Sequence, residues 1–178
     1  MILGRQIIRL PEIDSTSDEA RRQVKLGAGE GLVVVAGRQT AGRGKPGSRW
    51  HSPVGNLYFS VVLKPFRNPN ELAQVTLVGA LAVRKFLEKL GCAGAVVKWP
   101  NDVLVHGRKI SGILTERLPS GHLIIGLGVN INTLPAAVGE NATSLFALTG
   151  KNHQLDECLA ILLAELEQEY LAYLGKFC

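Results

Sequence analysis

Residues 31–63 read GLVVVAGRQTAGRGKPGSRWHSPVGNLYFSVVL, and the order of elements within them decides the fold. The opening GLVVVAGRQ is a continuous apolar run, which predicts a buried strand. A basic glycine loop follows. Residues 37–50 hold four glycines, three arginines and one lysine, and close on Trp50. A dinucleotide fingerprint would send such a loop straight into a helix whose N-terminus faces a pyrophosphate. Here RWHSPVGNLYFSVVL is a turn and a second strand ended by Pro65, so the Rossmann arrangement fails on context. An arginine–glycine nucleic-acid arm would be longer, repetitive and interleaved with aromatics. This loop is short, unrepeated and pinned between two strands. Two readings remain: a solvated loop whose glycines serve turn geometry, and a mobile clamp for a phosphate-bearing ligand.

Outward from this hairpin, Ser15-Thr16-Ser17 supplies capping hydroxyls before DEARRQVKLG, and Gly27 sits where a helix C-cap belongs. Residues 69–90 predict a long helix. It is apolar on nearly every face between Val75 and Val83, hence central and buried, and Gly91 ends it. Three β segments follow: AVVKWP, then DVLVHGRKISGILTERL with a turn at His106-Gly107, then HLIIGLGVNIN after a turn at Pro119-Ser120-Gly121. From Leu155 onward, Leu159, Leu162, Leu163, Leu166 and Tyr170 form one stripe at helical spacing, opposite an acidic face of Glu165, Glu167 and Glu169. This is a helix expected to pack on the sheet. The architecture expected is α+β: a mostly antiparallel mixed β-sheet with helices packed on it.

Nothing divides the 178 residues into two domains, and the composition, 46% hydrophobic and 20% charged, is that of a globular chain with a core. No apolar run approaches the ~18 to 20 residues of a membrane span. The start, MILGRQIIRLPEID, lacks a clean signal core, so no membrane partner and a cytoplasmic location are expected. Cys92, Cys158 and Cys178 show neither metal spacing nor a disulfide framework. His51, His106, His122 and His153 are scattered, and no nucleophile–histidine arrangement presents itself. The net charge of +5 suits anionic ligands of several kinds without choosing among them.

A second cluster sharpens the reading. KWPND, residues 98–102, puts Lys98 at the end of an apolar strand, where burial is costly unless an anion meets it. One mobile and one fixed cationic element suit transfer chemistry at a phosphate.

GRGKPGSRW, KWPND, GRKISGILTE and GLGVNIN occur in this order, and together they closely resemble the catalytic domain of the biotin protein ligases, of the biotin/lipoate protein ligase family. IDSTSDEA also resembles that family's entry to its first helix, and the resemblance runs from about Glu12 to Leu174. It implies a class II synthetase-like fold and a two-step reaction. Biotin and Mg2+-ATP give biotinyl-5′-AMP, and a lysine of a biotin carboxyl carrier protein or domain then takes the biotinyl group. By resemblance, Ser15, Thr16 and Gln39, with adjacent Ser17, meet the ureido ring of biotin. Gly42, Arg43, Gly44 and Lys45 close over biotin and its adenylate, with Gly112 of GRKISGILTE also on the biotin side. Lys98 resembles the central lysine near the carboxylate and α-phosphate; with Arg43 it forms the catalytic pair. Trp50 resembles the tryptophan that stacks on adenine, and Asn130 the asparagine that reads the adenine edge. Asn101 and Lys109 are further adenylate contacts. No protein residue is assigned to the metal, which comes with ATP.

The loop departs from the family's common GRGRxGRxW: Lys45 stands for an arginine, and Ser48-Arg49 shifts the later charge by one place. Lysine keeps the charge but lacks the planar bidentate fork. Some relatives carry an N-terminal helix-turn-helix domain and many a C-terminal SH3-like domain. The expectation is a single catalytic domain over 1–178 with neither of these and no DNA partner. Oligomeric state, monomer or homodimer, is left open. The competing readings are a lipoate or octanoate ligase or transferase of the same fold, and a biotin-binding module without catalysis.

Overall fold

In the computed structural model, which describes residues 2–65, 72–139 and 141–175, the chain runs β1 (Gln6–Ile13), α1 (Thr16–Lys25), β2 (Leu32–Gln39), β3 (Leu57–Leu63), α2 (Leu72–Lys89), β4 (Ala95–Lys98), β5 (Asp102–Val105), β6 (Arg108–Arg117), β7 (Leu123–Val129), α3 (Leu145–Thr149) and α4 (Leu155–Gly175). The strands make one sheet in the order β1-β2-β3-β7-β6-β5-β4. Only β1 and β2 pair in parallel; every other neighbouring pair is antiparallel. The mixed, mostly antiparallel α+β architecture is therefore present, with α2 beginning at Leu72 and residues 69–71 of the expected helix lying outside the described residues.

Two elements were not anticipated. In β1, Arg9, Pro11 and Glu12 interrupt the apolar pattern, but an edge strand buries only alternate residues. Ile8 and Leu10 face the core while β2 satisfies the backbone on the other side. The short α3 is set by its own punctuation. Ser144 Oγ accepts from Ala147 N at 3.1 Å, and Gly150 closes the helix at φ 68°.

The two faces of the sheet are covered unequally. On one face lies α2, so close that a Cβ on Gly79 would stand 2.7 Å from Ile125 Cδ1. The stripe of α4 is buried as expected, but the helix lies mainly along α2, and its acidic residues form a seam rather than an outer face. Glu165, 2% exposed, pairs with Lys89 at 2.5 Å, and Glu169 pairs with Lys85 at 2.5 Å. Glu167 accepts from the backbone N–H groups of Ile2 and Leu3. A long apolar helix leaves α4 little sheet to touch, so its apolar stripe packs mainly with α2 in the core and the ion pairs line the edge of that contact. On the opposite face α1 covers only part of the sheet, packing Ala20 onto Leu32, Val34, Val62 and Ile124. The uncovered remainder holds the site.

Candidate functional site

The floor is a patch of strand without side chains. Gly112 of β6 pairs with Gly128 of β7, and Gly126 lies two residues before it. The indole of Trp50 rests on that pair: a Cβ on Gly128 would be 2.5 Å from Trp50 Nε1, and one on Gly112 would be 2.7 Å from Trp50 Cζ3. A Cβ on Gly126 would meet Ser17 Oγ at 2.7 Å. Glycine inside a strand weakens it but lets another group approach the backbone. Three on one face make room for a cavity of about 190 Å3.

One end of the cavity is polar and buried. Ser15 caps α1, its side chain accepting from Asp18 N, which brings Thr16 and Ser17 into the first turn beside the sheet. Gln39 Oε1 accepts from Thr16 N at 2.8 Å and Thr16 Oγ1 at 3.1 Å, while Gln39 Nε2 donates to Ser52 Oγ at 3.0 Å. Ser60 Oγ lies 2.8 Å from Thr16 Oγ1 and 3.0 Å from Ser17 Oγ. The hydroxyls Ser17, Ser60 and Thr16 and the Gln39 amide can thus polarise one another as a chain.

The other end is cationic. The glycine loop is a small hairpin: Arg43 bridges Arg49, Trp50 N donates to Gly42 O at 3.0 Å, and Ser48 N donates to Lys45 O at 2.8 Å. Lys109 Nζ lies 5.2 Å from the Trp50 ring centroid and 2.7 Å from Asp102 Oδ1. A β-bulge explains why Lys109 points here. Val103 pairs with Ser111, but Leu104 already pairs with Lys109, so Ile110 is an extra residue. Ile110 and Ser111 are consequently both buried on the core side, and Lys109 joins the face of Gly112 and Leu114.

Of the residues singled out in the sequence, Ser15, Thr16, Ser17, Gln39, Arg43, Gly44 and Lys45 line this cavity, as do Trp50, Asn101, Lys109 and Gly112. Three do not. Lys98 is exposed at the end of edge strand β4, so the argument that its burial demands an anion does not hold. Asn130 is buried, but its Nδ2 donates to Thr143 O at 2.9 Å, tying down the segment before α3. Gly42 lies at the hairpin base, where a Cβ would strike Trp50 O and Ser52 Oγ. Arg43 lines the cavity with its guanidinium committed elsewhere, 2.7 Å from Asp18 Oδ1 and 2.6 Å from Glu116 Oε1. Sequence reasoning passed over Asp102, Gly126 and Gly128. The alternating glycines of GLGVN were the available signal for the last two.

A buried polar end, a glycine floor and a cationic hairpin on one mixed, mostly antiparallel sheet define a binding domain for a small ligand with an anionic extension. The model of the biotin/lipoate A/B protein ligase family matches residues 10–130. The chain belongs to that family. It is 35% identical to the bifunctional ligase/repressor BirA of Bacillus spizizenii over 97% of this chain and 56% of the relative. It is 38% identical to the biotin–[acetyl-CoA-carboxylase] ligase of Paracoccus denitrificans over 83% of this chain and 65% of the relative. The chain thus spans a little over half the length of the Bacillus relative. Among solved structures, the biotin protein ligase of Aquifex aeolicus in complex with biotin and ATP superposes with a TM-score of 0.86 at 37% identity, covering 97% of this chain and 73% of that one.

Proposed function

We propose that this chain is a catalytic domain that activates biotin with ATP to biotinyl-5′-AMP and passes the biotinyl group to a lysine of a biotin carboxyl carrier domain. The observation that carries the reading is the meeting, in one cavity, of the buried Ser17–Ser60–Thr16–Gln39 chain and the cationic group of Lys109 and the basic hairpin. The Aquifex structure, a complex with biotin and ATP, supports the same ligand pair.

In the first step the biotin carboxylate attacks the α-phosphorus and pyrophosphate leaves. The ureido group carries donors and acceptors that all need partners once out of water, and the Ser15, Thr16 and Gln39 end supplies both kinds. Lys109, at the cationic end, lines the same cavity as the polar chain. Its ammonium offsets repulsion between carboxylate and phosphate and stabilises charge that develops on the phosphate oxygens. In the second step the carrier amine attacks the acyl carbon, AMP leaves, and the amine loses a proton. No enzyme nucleophile is needed. Among the described residues no three His, Cys, Asp or Glu side chains are grouped to hold a metal. Mg2+ keeps waters and substrate phosphates with one or two carboxylates, and Asp102, in the cavity wall, fits that part. The ion would neutralise phosphate charge.

A cavity of about 190 Å3 is below the usual range for nucleotide-sized ligands. Both substrates together therefore need more room than this cavity gives, and the hairpin that carries Trp50 forms one of its walls. The free thiols of Cys92 and Cys158 suit a cytoplasmic setting. Among the described residues no helix is long and apolar enough to cross a membrane.

The family description also covers lipoate, so the deciding experiment offers both acids. After incubation with Mg2+-ATP and biotin or lipoate, mass spectrometry should find biotinyl-AMP alone. Lipoyl-AMP would reassign the substrate. Biotin bound without pyrophosphate release would leave a binding module.

A further inference from the structure

Arg43 does not stand alone. Two arginines and two carboxylates close a ring: Asp18 Oδ1 lies 2.7 Å from Arg43 Nη1 and 2.9 Å from Arg21 Nη1. Glu116 Oε1 lies 2.6 Å from Arg43 Nη2 and 3.2 Å from Arg21 Nη2. The four side chains come from α1, the hairpin and β6. All are about a third exposed or less, so solvent screens them only partly. We propose that Asp18 and Glu116 are positioning residues that latch the basic hairpin over the cavity through Arg43, with Arg21 balancing their charge.

The latch has a definite line of action. Arg43 is bridged to Arg49, and Trp50 N is held by Gly42 O, so fixing Arg43 fixes the strand pair that carries the indole. Glu116 and Asp18 are themselves on rigid elements: Asp18 in the first turn of α1, Glu116 two residues beyond the cavity-lining Leu114. The charges sum to zero. Removing one carboxylate leaves two guanidiniums facing a single partner, a like-charge pair that pushes the hairpin outward. Arg43 therefore anchors the hairpin, while Lys45 and Arg49 remain to meet an anion.

The latch is tested first without any substrate, so its failure is separable from failure of the ligase reading. Trypsin cuts after Arg43 and Arg49, since Pro46 blocks the bond after Lys45. Glu116→Gln should speed cleavage at these sites about threefold to tenfold, the scale of a partly buried ion-pair network, with the melting temperature little changed. Arg43→Gln should speed cleavage after Arg49 by a similar factor, and Arg43→Gln/Glu116→Gln should be no faster than Arg43→Gln alone, because both act on one contact. If Glu116→Gln unfolds the chain and cleavage spreads outside the hairpin, Asp18→Asn decides by the same readout. Unchanged hairpin cleavage in that variant, or strictly multiplicative effects in the double variant, would overturn the latch. A second readout rests on the proposed function: release of biotinyl-AMP into solution should rise in Glu116→Gln by a factor matching the proteolysis, and Glu116→Asp should restore part of it.

Discussion

Lys109 and Lys98 carry the same charge eleven positions apart, and only one reaches the cavity. The extra residue in β6 turns Lys109 inward, where it sits over Trp50 and beside Asp102, whereas Lys98 ends an edge strand in solvent. Lys109→Ala should therefore lower pyrophosphate release by ~10²-fold or more, because its electrostatic role is realised mainly in the transition state. Lys98→Ala should lower it less in the same assay, because Lys98, opposite Asp102 across the β4–β5 pair, is exposed to water that screens its charge. The reverse order would return the role to Lys98. Lys45 is exposed and lines the cavity. A lysine there holds an adenylate less firmly than a bidentate arginine. Lys45→Arg should reduce, and Lys45→Gly increase, labelling of a bystander protein with biotin on a streptavidin blot; equal labelling in all three would remove Lys45 from retention of the intermediate.

At the scale of elements, β6 and β7 serve the site by lacking side chains. Gly128→Ala puts a methyl group where the Trp50 indole lies, and overpacking of this kind costs ~1 to 3 kcal/mol. In a Trp99→Phe background, which removes the exposed second tryptophan, Gly128→Ala should shift Trp50 emission to longer wavelength. An unchanged spectrum would mean that the indole does not rest on this floor. On the other face, Leu166 of α4 is fully buried in the main core. Leu166→Ala should cost ~2 to 5 kcal/mol in denaturant unfolding, the range for large cavities, without moving the hairpin cleavage pattern.

For the whole molecule, alkaline stability is a readable consequence of the core. Burial raises the Cys158 thiol to about 11, helped by the charge of Glu157. The folded chain then keeps this proton where the unfolded chain loses it, so the thiol's contribution is fully present below about pH 9 and is lost as pH rises toward 11. Burial raises the hydroxyls of Tyr58 and Tyr170 as well and adds to the same trend. Cys158→Ala should show a shallower fall in melting temperature between pH 9 and 11 than wild type. Parallel curves would show that the thiol is not shielded.

Local chemistry made much of this protein legible in advance. Continuous apolar runs mark β2, β3 and α2, and a stripe at helical spacing marks α4, because core contact selects apolar residues along the whole element. Turns such as His106-Gly107, both at positive φ, announce themselves because few residues tolerate that backbone. At the polar end of the cavity, local chemistry marked Ser15 and Thr16 only as helix-capping hydroxyls; grouping them with Gln39 came from the family resemblance. What the sequence could not show is which side chains share a face across distant strands. Edge strand β1 buries too few residues to leave a pattern, and one bulge residue reverses the side on which Lys109 emerges. The ring of Arg21, Arg43, Asp18 and Glu116 joins positions up to 98 residues apart, drawn from α1, the hairpin and β6. Pairing of that kind depends on register and packing over the whole sheet, and only the tertiary structure decides it.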